Sequence, residues 1–225
     1  MTSLFELHAD EPRLRQLCLQ DARLAVLVRA VGPLNVPKRT DGFEYLAKSL
    51  INQQLSVKAA ATICQRVEQQ CGGITPDSML AASEDILRAA GVSRPKIGYI
   101  QGLAQLVKQG EIDFAAWDGM SDEEAIEALT KIKGIGRWTA EMFLIFFMGR
   151  DNVLSMGDAG LRRAALWLYE GEKGNGAAVL EQQSLAWEPY RSIASLYLWE
   201  AINQGHVVEG PYSKFCEKLA EQQRE

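Results

Sequence analysis

The chain has 225 residues, 47% of them hydrophobic, and a formal net charge of −5. That is the composition of a folded globular protein long enough for one large domain or two small lobes. No apolar run reaches the eighteen or so residues of a membrane span, the longest being "MFLIFFMG", and the negative balance weighs against a phosphate-bearing partner except at a local basic patch.

The acidic start "MTSLFELHADEPRLRQ" lacks the charged-then-apolar order of a signal peptide, so the expectation is a cytoplasmic protein. From there the reading is helical nearly throughout. The stretch from Phe43 to Gly73 places Phe43, Leu46, Leu50, Leu55 and Ala59 near helical spacing, which predicts one long helix stopped by Gly72 and Gly73. "SEDILRAAG" predicts a short helix between an N-cap, Ser83, and a stop, Gly91. The next helix carries Pro95 near its first turn and Ile97, Ile100, Leu103, Ala104 and Val107 on one face. Ser121 and Glu124 form the S-x-x-E capping box of a helix that Gly134 ends. "RWTAEMFLIFFMG" is apolar almost all round, as a central core helix should be. "DAGLRRAALWLYEG" is amphipathic, "GEKGNGAA" is a loop, and "WEPYRSIASLYLWEAINQG" is a last long helix with Pro189 at its first turn. No segment alternates as a strand should, so the fold class is all-α. The best boundary is "GPLNVPKRTDG". It suggests a helical bundle from 36 to 150 and a second lobe from 1–35 plus 151–225.

Two glycines two residues apart in "KIKGIGRWTAEMF" are ordinarily a tight helix–helix turn, with Gly134 as the cap. The alternative is a hairpin whose amides, with the N-terminus of the second helix, form a donor nest for a phosphate. Lys131, Lys133 and Arg137 supply local positive charge there. Such a contact is independent of base sequence.

The full spacing L-x-x-I-x-G-I-G-x-x-T-A, Leu129 to Ala140, resembles the helix-hairpin-helix DNA glycosylase superfamily. The similarity continues through "LAKSLINQQLSVKAAATICQRV", "GVSRPKIGYIQGLAQ", "NVLSMGDAGLRRA" and "WEPYRSIASLYLW", about residues 36 to 205. The last segment resembles the alkylpurine branch, the 3-methyladenine glycosylase II type, in a compact form without the extra N-terminal domain of longer members. The resemblance implies two helical lobes with an active-site cleft between them. It also implies a monomer acting on double-stranded DNA, at the nucleoid or in the nucleus, with no membrane partner and no required cofactor.

Asp158 precedes a helix and reads first as its N-cap. The resemblance adds the catalytic role. A carboxylate there stabilises positive charge developing on the sugar as the N-glycosidic bond breaks, and can orient water. Asp151 and Glu141 read as solvated or structural acids. Trp138 stands where bifunctional relatives keep a Schiff-base lysine, which implies hydrolysis that leaves the strand intact. Trp138 and Trp199 match the family's pocket tryptophans, whose faces attract a cationic alkylated purine. Met142 replaces a third pocket aromatic. Gln53 and Gln54 read as a polar helix face. The resemblance makes them the wedge that enters the duplex, with Gln54 the better candidate. Gly134, Ile135, Gly136, Arg137 and Lys133 are the phosphate-binding set. Lys96 is either a phosphate contact or a solvated residue. Backbone carbonyls of Thr130, Ile132 and Ile135 are the candidate ligands of a sodium or potassium ion.

Cys18, Cys64, Cys71 and Cys216 include no C-x-x-C, which argues against zinc or an iron–sulfur cluster. His8 and His206 lie near the ends and make a poor catalytic pair. Three other readings stay open at this point: a glycosylase for ethenoadenine or for deaminated or oxidised bases, a non-catalytic helix-hairpin-helix DNA-binding module, and a helical protein scaffold.

Overall fold

The structure, a computed structural model, describes residues 2–172 and 174–222. Lys173, in the expected loop "GEKGNGAA", lies outside them. In chain order the elements are strand β1 (Ser3–Leu7), helices α1 (Pro12–Gln20) and α2 (Ala22–Val31), and strand β2 (Leu34–Pro37). Then come α3 (Gly42–Asn52), α4 (Val57–Cys71), α5 (Pro76–Ala81), α6 (Glu84–Ala90), α7 (Arg94–Lys108), α8 (Asp122–Thr130) and α9 (Arg137–Phe143). The chain ends with α10 (Ala159–Leu168), α11 (Gly176–Ser184), α12 (Arg191–Asn203), α13 (His206–Glu209) and α14 (Tyr212–Gln222). No helix among the described residues is long and apolar enough to cross a membrane.

The chain divides into two compact units, one of residues Met1–Lys38 and Gly149–Glu225, the other of Arg39–Met148. In the first, β1 and β2 form an antiparallel pair with Phe5 opposite Val36 and Leu7 opposite Leu34. This corrects the expectation of no strand. Phe5 and Leu7 are buried while Glu6 between them is exposed, so a period of two is present, over too few residues to stand out. A carboxylate ties this unit's helices together. Oδ1 of Asp21 accepts the Leu24 amide at 2.9 Å, capping α2. Oδ2 accepts the Trp187 indole at 2.9 Å and also the Tyr169 hydroxyl. Burying that charge is tolerable only because donors surround it. Trp187 is thereby a core residue. Pro189 follows a cis peptide and stands before α12, whose N-cap is Tyr190, rather than inside the first turn.

In the second unit Ser83, Ser121 and Glu124 cap their helices as the sequence predicts. The apolar run after the hairpin is α9 continued by a π-helical turn, Leu144–Met148, rather than one regular helix. Phe143 and Phe147 stack at 4.5 Å between ring centroids, and Tyr45, Phe114 and Trp117 surround them. The expected long helix from Phe43 is two helices, because the chain turns between Asn52 and Leu55. The Leu55 amide bonds the Asn52 carbonyl at 3.1 Å. Gln53 has φ −49° and ψ 129°, and Gln54 has φ +59°. Those angles are those of a type II turn, whose third position asks for φ > 0.

Candidate active site

The hairpin joins α8 to α9. Gly134 has φ +93°, and a Cβ on it would lie 2.5 Å from Cδ2 of Tyr99 and 3.1 Å from Cδ2 of Leu50. Glycine is therefore required by the backbone and by packing on α3 and α7. Gly136 differs. Its φ is −91°, and a Cβ there would meet nothing within 4 Å. The protein itself makes no demand for glycine at 136, and the space over it faces outward. Among the described residues no side chain caps the N-terminus of α9.

Arg137 is more engaged than the sequence suggests. Its Nη1 lies 3.0 Å from Oε2 of Glu123, Nη2 pairs with the same carboxylate, and Nε bonds Oε1 of Glu141 at 3.0 Å. Glu141 is buried, so it is structural rather than solvated. It stands four residues after Arg137, a spacing that could have predicted the pair. Hydrogen bonding from Arg137 holds the Glu123 carboxyl below its ordinary range. Lys131 and Lys133 are exposed, and the Lys133 ammonium lies 6.0 Å from the Tyr99 ring centroid. Trp138 is 50% exposed, unusual for a side chain of its size. Met142 is buried, and its carbonyl accepts the Tyr45 hydroxyl at 3.1 Å.

Two expectations change here. Gln53 and Gln54 sit in the turn after α3, not mid-helix. Nε2 of Gln53 donates to the Gly134 carbonyl at 2.9 Å, so Gln53 faces the hairpin, while Gln54 is exposed. Lys96 is part-buried and has partners within the protein. Its ammonium donates to the carbonyls of Ile51, at 2.8 Å, and Gln53, at 2.7 Å, closing the C-terminal end of α3.

In the other unit Asp158 is the N-cap of α10, its Oδ1 accepting the Leu161 amide at 2.7 Å. The same oxygen accepts Nε1 of Trp199, on α12, at 3.3 Å. A Cβ on Gly160 would lie 3.0 Å from that oxygen and 3.8 Å from Cδ1 of Trp199. The glycine of "DAG" leaves room for the carboxylate, a role the sequence does not announce. One helix amide and one indole thus fix the same carboxylate oxygen. Asp151, in the same unit, pairs with Arg13 at 2.8 Å. Burial nonetheless raises its carboxyl above the ordinary value, Arg13 pulling the other way.

The glycine hairpin lies in one unit and the helix-capping Asp158 in the other. The model of the HhH-GPD superfamily base excision DNA repair proteins matches residues 47–189, and the chain belongs to that family. It is 43% identical to the DNA-3-methyladenine glycosidase of Bacillus halodurans. That crystal structure superposes with a TM-score of 0.80, over 88% of this chain and 92% of the other. It is 34% identical over 182 residues to DNA-3-methyladenine glycosylase 1 of Schizosaccharomyces pombe, covering 79% of this chain and 80% of the relative. A Schizosaccharomyces pombe 3-methyladenine DNA glycosylase in complex with abasic DNA aligns at 31% identity and a TM-score of 0.73, over 85% of this chain and 96% of that one.

Proposed function

We propose that this chain is a monofunctional DNA glycosylase of base excision repair. It excises alkylated, cationic purines such as 3-methyladenine and 7-methylguanine from double-stranded DNA and leaves an abasic site. The observation that carries the reading is Asp158. It is held as an N-cap with an indole donor on the same oxygen, in a family whose relatives are named for excision of 3-methyladenine.

Alkylation at N3 or N7 makes the purine cationic and a good leaving group, so departure needs little acid assistance. The step then depends on stabilising the positive charge left on the sugar. Asp158 provides a fixed anion for that charge and an acceptor to orient the attacking water. Its donors are already in place and need not reorganise. Trp138 and Trp199 provide faces for the extruded base, and a cationic ring gains about 0.5–2 kcal/mol from each favourable face. Gln54 fills the gap left in the stack. The amides of Gly134 and Gly136, on either side of Ile135, hold a backbone phosphate with Lys133 and Arg137. Strand cleavage by a Schiff base would need an amine at the sugar. Trp138 supplies none, and Lys133 is held over Tyr99. The carbonyls of Thr130, Ile132 and Ile135 are hard oxygen donors suited to sodium or potassium. The Ile132 oxygen takes the Ile135 amide at 3.0 Å and keeps a second lone pair.

The test is incubation with methylated duplex DNA, with released bases identified by chromatography and the strand examined before alkali. Release of methylated purines with intact strands is expected. Strand breaks without alkali would reject the monofunctional mechanism, and no released base would reject the glycosylase.

A further inference from the structure

The turn that carries Gln54 is built under strain and anchored from two sides. Gln54 occupies the φ > 0 position of a type II turn, where glycine or asparagine is usual. A longer side chain persists there only when its surroundings hold it. Those surroundings are specific. Lys96 grips the carbonyls of Ile51 and Gln53 from α7. One helical turn further along α7, Tyr99 lies under Gly134. Gln53 spans from the turn to the hairpin through its amide donor on the Gly134 carbonyl. Gly134 in turn fits against Leu50, near the end of α3. The Gln54 turn and the hairpin are thus parts of one junction inside a single unit.

We infer that Gln53 is a positioning residue. Its amide ties the Gln54 turn to the glycine hairpin, so that the phosphate grip of the hairpin sets where Gln54 enters the duplex. Lys96 supports the same turn from the opposite side. This inference rests on the glycosylase reading above and reassigns Gln53 from the wedge to its mounting. The amide donor matters more than the length of the side chain, since methionine would match the shape and not the bond.

The experiment compares Gln53→Met with the wild-type full chain on two duplexes carrying the same methylated purine. One has the lesion opposite its normal partner, the other opposite an abasic gap, where extrusion costs less. Loss of one hydrogen bond should slow single-turnover excision of the paired lesion about tenfold. It should leave the unpaired lesion within about twofold of wild type and leave affinity for undamaged duplex unchanged. Lys96→Met should give the same split. Either variant at wild-type rate on the paired lesion, or equally slow on both duplexes, overturns the inference. Wild-type chain that releases no methylated base overturns the glycosylase reading and this inference together, which is a different result from a silent Gln53→Met.

Discussion

The indole nitrogen of Trp199 lies 3.3 Å from Oδ1 of Asp158, the oxygen that also caps α10. Trp199 therefore has two duties in the proposed reaction: a face for the base and a donor that orients the carboxylate. Trp199→Phe keeps most of the face and removes the donor. A hydrogen bond to a charged group of this length is worth about 1–2 kcal/mol, so kcat should fall about tenfold with little change in DNA affinity. Asp158→Asn should bind DNA and lose nearly all excision. Single-turnover kinetics measure both variants, and near-normal excision by Asp158→Asn would remove Asp158 from the mechanism.

The two hairpin glycines separate fold from function. Gly134→Ala forces a Cβ into Tyr99 at φ +93° and should cost about 2 kcal/mol or more. Gly136→Ala meets no protein atom and has an ordinary φ, so its melting temperature should stay near wild type. Its affinity for duplex DNA should fall instead, because in the proposed reading the methyl stands where a phosphate approaches. Calorimetry and fluorescence anisotropy on both variants check the contrast.

In the proposed reading Glu123 competes with DNA for Arg137. Both side chains are more than half exposed, so their mutual stabilisation is slight. Removing the carboxylate frees Nη1 and Nη2 of Arg137, its Nε still held by Glu141, and deletes a negative charge beside the hairpin. Glu123→Gln should tighten duplex binding about two- to tenfold at low salt and steepen the salt dependence. Unaltered affinity across a salt titration would mean that Arg137 does not reach the backbone.

Gln54→Gly relieves the turn. A non-glycine residue in the left-handed region costs about 1 kcal/mol, offset in part by the entropy glycine adds to the unfolded chain. Melting temperature should hold or rise slightly while excision from paired duplex drops. A loss of both stability and activity would contradict the description of this turn.

Alkaline pH should unfold the protein through its phenols. Burial raises the Tyr45 hydroxyl from 10.0 to about 12, and burial pushes Tyr169 and Tyr197 upward as well. A raised folded-state value contributes stability that is complete below the unfolded value of about 10 and is lost as pH climbs through the folded value. Melting temperature should therefore decline from about pH 10 upward, and Tyr45→Phe should make that decline shallower.

Punctuation residues made much of the fold legible in the sequence. Ser83, Ser121, Glu124 and Gly91 act through bonds to their near neighbours, so spacing alone finds them, whereas α8 ends at Thr130 with Lys131 as its C-cap, short of the expected Gly134. Asp158 is legible for the same reason. What escaped depends on residues far apart in the chain. Gln53 and Lys96 look like a polar helix face until the chain is seen to turn at Asn52. The central residues of that turn, Gln53 and Gln54, are not glycine, proline or asparagine, so they do not mark it. The β1–β2 pair escaped because each strand is short and its partner lies some thirty residues away. Asp21 caps α2 locally and also holds Tyr169 and Trp187, well over a hundred residues on.

Gly160 sets a trap for anyone who would harden this protein. It lies in the first turn of α10, an obvious position for a routine alanine exchange that favours helix. The added methyl would stand 3.0 Å from Oδ1 of Asp158 and 3.3 Å from Ile202, and the carboxylate would have to yield. A screen that scored melting temperature alone could retain such a chain, having exchanged the aim of its aspartate for a sturdier helix.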